Sequence, residues 1–97
     1  MVKTIFLHKV KNFDAWKNVF DSFYSTRQKY GEKSYSVGTV KGEPNNVYVI
    51  NEWESVQQFD TFRNSTELQN TMKDAGVLEV PKIYVLDEVE QEVHHNY

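Results

Sequence analysis

The sequence predicts an α+β domain of the ferredoxin-like kind: a four-stranded antiparallel sheet with two helical segments on one face, in the order β-α-β-β-α-β. Three observations lead there. Four short segments rich in β-branched and aromatic residues alternate with two segments of helical periodicity in that order. The middle two strand segments follow each other directly across turn residues, as a hairpin does. The chain has 97 residues, the length of a single domain. The expected domain is 1–90, followed by a C-terminal tail, 91–97, without periodicity.

Residues 2–10, VKTIFLHKV, read as strand one. Asn12 is placed to cap the helix that follows, and Asp14 lies in its first turn, where a carboxylate complements the helix dipole. Phe13, Trp16, Phe20, Phe23, Arg27 and Tyr30 recur at helical spacing and form one face of a helix over 13–30, with Gly31 as its stop. Residues 33–42 are strand two. Glu43-Pro44-Asn45-Asn46 supplies turn residues for a hairpin into strand three, 47–54. Ser55 with Gln58 forms a capping-box pattern opening a second helical segment, whose apolar side is Val56, Phe59 and Phe62. Asn64-Ser65 interrupts it. Ser65 caps a further piece with Leu68, Met72 and Ala75 in line, ended by Gly76. Residues 81–90 are strand four.

Composition narrows the function classes. Aromatics make up 14% of the chain, and their large buried areas help a small domain build a core. A formal net charge of -3 argues against a broad phosphate-binding surface. The βαββαβ order is also that of RNA recognition motifs, but VYVINEWES lacks their basic-Gly-aromatic signature, so no nucleic-acid partner is expected. The chain has no Cys, hence no disulfide, thiolate nucleophile or Cys-ligated metal. No apolar run reaches the roughly 18 residues of a membrane span, and the N-terminus does not read as a signal peptide, so a cytoplasmic protein is expected.

The strands are apolar on both faces. Strand one divides into Thr4, Phe6, His8 and Ile5, Leu7, Lys9; strand three into Val47, Val49, Asn51, Trp53 and Tyr48, Ile50, Glu52. Strand four divides into Ile83, Val85 and Tyr84, Leu86. Helices cover one face only, so the other calls for a second cover. A homodimer packed sheet to sheet supplies it. Alternation alone does not say which parity faces the helices.

The segments HKVKNFDAWKNVFD, VYVINEWES and STELQNTMKDAGVLEVPKIYVLDE resemble the dimeric α+β barrel superfamily, in its antibiotic-biosynthesis-monooxygenase-like branch, over about residues 3–88. The resemblance implies a homodimer whose two sheets close a barrel, with a pocket between each sheet and its own helices. It implies a hydrophobic or aromatic small-molecule ligand. Some members oxidise aromatic polyketides or quinols without metal or flavin, so no cofactor is expected. Haem-degrading members resemble one another in an Asn on strand one and a His on the second helix. Here strand one carries His8 and the second helical region has no His, which sets that branch aside.

His8 and Glu52 are the candidate catalytic bases. Histidine titrates in the useful range, and a carboxylate among apolar strands must be paired or hold a raised pKa. The competing readings are a hydrogen-bonded histidine at the strand end or dimer seam, and a Glu52 paired with Lys, Arg or His8. Arg27, Tyr35, Asn51, Trp53 and Tyr84 are the candidate ligand-binding residues; each could instead serve packing, or, for Arg27, reach solvent. Glu52 and Trp53 are strand neighbours and point to opposite faces unless a bulge intervenes. His94 and His95 adjoin each other without a rigid scaffold, so no metal site is expected. Two functions stand at this point: a homodimeric α+β barrel that binds a hydrophobic or aromatic small molecule, with cofactor-independent monooxygenation as the chemistry open to it, or a non-enzymatic dimeric binding or accessory domain.

Overall fold

The computed structural model describes residues 2–94. The chain runs β1 (Val2–Lys9), α1 (Phe13–Ser22), α2 (Tyr24–Lys29), β2 (Glu32–Val40), β3 (Glu43–Trp53), α3 (Val56–Arg63), α4 (Thr66–Asp74) and β4 (Lys82–Leu86). The strands form one four-stranded sheet in the order β2-β3-β1-β4, and every neighbouring pair is antiparallel. This is the ferredoxin-like α+β arrangement.

The caps are those the sequence predicts. Asn12 Oδ1 accepts from the Ala15 amide at 2.9 Å, Ser55 Oγ from Gln58 at 3.2 Å, and Ser65 Oγ from Leu68 at 3.1 Å. Each satisfies an amide left unbonded in a first turn. The helix expected over 13–30 is instead two helices that meet at Phe23, whose φ of -90° and ψ of 6° depart from helical geometry. Just before the break, Ser22 Oγ donates to the Val19 carbonyl at 2.8 Å, the back-bonding that bends helices. Gly31, at φ +100°, then stops the chain in a conformation that side chains resist.

The hairpin turn begins two residues earlier than expected. Val40 pairs with Glu43, leaving Lys41 and Gly42 as the turn, and Gly42 supplies the positive φ of +83°. Glu43-Pro44-Asn45-Asn46 is an irregular part of β3, where the register with β2 shifts. Asn45 holds the entrance of α1: its carbonyl accepts from Val10 at 2.9 Å and its side chain accepts from Phe13 at 3.1 Å. Strand β4 ends at Leu86, opposite Lys3, because β1 has almost run out there.

Register settles the parity. Thr4, Phe6 and His8 on β1, with Val47, Val49, Asn51 and Trp53 on β3, are buried under the helices. They pack with Trp16, Phe20, Phe59, Phe62, Leu68 and Ala75 to form the core. Burying each large apolar side chain contributes roughly 1.5–3 kcal/mol. On the outer face Ile5 lies between Ile50 and Tyr84, and Leu7 lies opposite Tyr48. None of these outer residues belongs to the core; Tyr84 is 51% exposed. Among the described residues, no helix is long and apolar enough to cross a membrane.

Candidate functional site

A cavity of about 70 Å³ lies between the inner face of the sheet and the helices. Phe6 and Val49 form its floor, Trp16, Phe20 and Phe23 one wall, and Phe62, Leu68 and Met72 the other. Four polar side chains line it: the buried His8, Arg27 and Asn51, and the half-buried Thr71.

His8 projects inward because it pairs with Val47, on the same face as Phe6. It is 5% exposed, its ring lies 5.6 Å from that of Trp16, and neither ring nitrogen has a hydrogen-bond partner among the described residues. Burial pushes its pKa down from the ordinary 6.5 to about 4. His8 is therefore neutral near pH 7, with one nitrogen able to donate and the other to accept.

Arg27 is brought in by α2, and is only 3% exposed. Its Nε donates to both carboxylate oxygens of Glu32, each at 3.1 Å, and Nη1 donates to the Phe20 carbonyl. The guanidinium lies 3.7 Å above the Phe20 ring centre, a cation–π arrangement. Nη2 has no partner among the described residues. From Glu32 the hydrogen bonds continue along the inner face. Asn51 Nδ2 donates to Glu32 at 2.6 Å, Thr4 Oγ1 to Asn51 at 3.4 Å, and Trp53 Nε1 to Thr4 at 2.8 Å. Strands β1, β2 and β3 and helix α2 are thus linked by one chain of buried polar side chains.

Glu32 is the residue that sequence reasoning missed. It faces inward because of a bulge: Glu32 pairs with Trp53 and Ser34 with Glu52, so Lys33 is the extra residue. Counting back from Tyr35 by simple alternation would have turned Lys33 inward and Glu32 outward. Its one local signal is position, five residues after Arg27 and just beyond the Gly31 stop.

The sequence-predicted residues fall into separate places. His8, Arg27 and Asn51 share the cavity. Tyr35 stands beside it, with its ring 5.2 Å from Phe20 and 5.1 Å from the Arg27 guanidinium carbon. Trp53 is wholly buried against Phe59 and Phe62, apart from the cavity lining. Glu52 and Tyr84 are on the outer face: Glu52 lies opposite Lys3 and accepts from Ser34 Oγ at 3.3 Å, and Tyr84 lies opposite Ile5. The two candidate bases thus lie on opposite faces of the sheet, and of the candidate residues it is His8, Arg27 and Asn51 that line one cavity. Among the described residues, no group of three or more His, Cys, Asp or Glu is gathered to hold a metal ion. His95 lies outside the described residues.

No protein-family model matches the chain, and no curated protein matches its sequence. Solved structures do match its fold. An antibiotic biosynthesis monooxygenase superposes with a TM-score of 0.73 at 18% identity, covering 93% of this chain and 100% of that one. SnoaB, a cofactor-independent oxygenase from Streptomyces nogalater, gives 0.76 at 11% identity, over 93% of this chain and 94% of its own. A conserved protein from Methanosarcina mazei Go1 gives 0.72 at 15% identity, over 91% and 92%. The chain has the α+β fold of the antibiotic-biosynthesis-monooxygenase-like proteins; at these identities the likeness is one of fold.

Proposed function

We propose that this protein is a homodimeric α+β barrel that binds a hydrophobic, oxygen-bearing small molecule, aromatic in type, in the cavity of each subunit. One observation carries the reading. Both ring nitrogens of His8 and Nη2 of Arg27 are buried, without protein partners, in residues that line one apolar cavity. A buried polar atom left unpaired costs about 1–3 kcal/mol, and native proteins seldom leave several together. An apolar pocket with a few convergent polar groups is the usual form of a small-molecule site. The cavity's 70 Å³ is about half the ~150 Å³ that takes benzene, so an aromatic ring requires its lining to yield. Met72, unbranched and only partly buried, is the side chain best suited to move.

The dimer half of the reading is supported by the outer face. Ile5, Leu7, Tyr48 and Ile50 there are only half-buried, and Tyr84 and Leu86 are exposed. A second sheet laid over them removes this apolar surface from water. Glu52 and Tyr84 are then residues of the dimer seam.

Native mass spectrometry of freshly purified protein tests both halves. A dimer carrying extra small-molecule mass, lost when Ala75→Trp fills the cavity, is expected. A monomer would remove the barrel, and a dimer that takes up no apolar ligand under any loading condition would remove the binding site.

A second reading, cofactor-independent oxygenation, is favoured by the neutral His8 at the cavity. His8 would accept a proton from an acidic substrate group, and the substrate's own electrons would reduce dioxygen, one oxygen entering the product and the other leaving as water. A base with a pKa of about 4 is deprotonated but weak, which ranks this reading second. Oxygen uptake with an oxidisable aromatic quinol checks it: turnover equal in wild type and His8→Leu excludes His8 as the base.

A further inference from the structure

We infer that Glu32 is a specificity-determining residue: by neutralising Arg27 inside the protein, it makes the cavity selective for uncharged carbonyl-bearing ligands over carboxylates of the same shape. The inference rests on the binding reading above and adds the charge of the ligand and the residue that sets it.

The charges of the site are few. Arg27 contributes one positive charge and Glu32 one negative charge, with Nε 3.1 Å from the carboxylate oxygens and each side chain 3% exposed. Among the described residues, no Asp, Glu or Lys and no Arg besides Arg27 lines the cavity. His8 is neutral. The inner site therefore has no net charge, although it presents a guanidinium N–H. An anionic ligand would add a buried charge that neither Arg27, already paired with Glu32, nor the neutral and weakly basic His8 balances, and uncompensated buried charge is strongly disfavoured. A neutral carbonyl meets Arg27 Nη2 with the acceptor it lacks and adds no charge. A hydroxyl on the same ligand can donate to one nitrogen of His8, or accept from the other. Asn51 holds the arrangement by donating to Glu32 Oε2 at 2.6 Å, so the carboxylate is committed to Arg27 and Asn51 and faces no ligand of its own.

The test uses acetone and acetate, which share a four-heavy-atom shape and differ in charge. Each is titrated into the full-length protein at pH 7, with chloride matching the ionic strength. Nitrogen-15 NMR of the Arg27 side chain and the His8 ring follows binding. Acetone is expected to give saturable shifts at both groups, with acetate at least ~10-fold weaker. In Glu32→Gln the preference is expected to reverse, and acetate should raise the thermal midpoint of that variant but not of wild type. Should Glu32→Gln fail to fold, Arg27→Met/Glu32→Gln replaces it; there acetone should weaken about 10-fold while acetate stays excluded. Wild type that binds acetate as well as acetone overturns the inference. So does a Glu32→Gln protein that keeps the wild-type preference, or a double variant that holds acetone undiminished. If neither probe perturbs His8 or Arg27, and apolar ligands also fail to bind by mass spectrometry, the cavity is not a binding site. If apolar ligands bind while acetone does not reach Arg27, only the charge-selection inference falls.

Discussion

The inner face of the sheet treats its buried polar groups in two different ways. Toward the Trp53 end, Trp53, Thr4, Asn51, Glu32 and Arg27 pass hydrogen bonds from one to the next, and nearly every donor is used. Toward the other end of β1, His8 is buried against Trp16 with both nitrogens free. The two regions share a layer, and burial is similar in both. The difference lies in partners. The connected chain holds strands and helix in place; the unconnected histidine is the group left available. The open donor of Arg27 is where the two meet, at the cavity.

Breaking the connected chain at its charged link should have the largest effect. Arg27→Met or Glu32→Gln alone leaves a buried charge without its counterpart and is expected to cost about 3–5 kcal/mol in urea unfolding. Removing both charges in Arg27→Met/Glu32→Gln should recover most of that loss. A double variant no more stable than the worse single one would show that the two charges do not compensate each other.

The unconnected end should be weaker and pH-dependent. His8 has a folded pKa of about 4 against an ordinary 6.5. The unfolded chain therefore takes up the proton first as pH falls. The stability tied to neutral His8 is complete above pH 6.5, declines as pH drops toward 4, and levels off below that. The pKa difference corresponds to a loss of about 3 kcal/mol at most. His8→Leu should lack this slope, so the gap between the two proteins' stabilities should change between pH 7 and pH 4 in favour of the variant. Parallel pH profiles would mean that His8 is not buried neutral in the folded protein.

The smallest effect is expected at the neutral link. Thr4→Val removes the acceptor of Trp53 Nε1–H at nearly constant volume, for about 1–2 kcal/mol. A double-mutant cycle with Trp53→Phe should show positive coupling between the two positions. Additive losses would mean that Thr4 and Trp53 act independently.

Much of the fold was legible from local rules. The strand-forming segments, the three helix caps and the stop at Gly31 follow from side-chain chemistry within a few residues, which is where such rules apply. The hairpin turn moved to Lys41-Gly42, because Gly42 had the required positive φ while Asn45 was committed to Val10 and Phe13. The helix break at Phe23 was hidden by a stripe of aromatics that continues across it. At the site, His8, Arg27 and Asn51 could be named from the sequence, but not their grouping. Glu52 drew attention as the carboxylate on an apolar strand, yet the inward carboxylate is Glu32.

What the sequence by itself determined is therefore the element order, the caps and the presence of polar residues within apolar strands and helices. Each depends on neighbours a few positions away. Tertiary structure alone decided which face of the sheet the helices cover, since both parities are apolar. It also decided that the bulge at Lys33 turns Glu32 toward Arg27. One extra residue in a strand reverses which side chains point inward, and only the pairing of β2 with β3 shows where that residue lies.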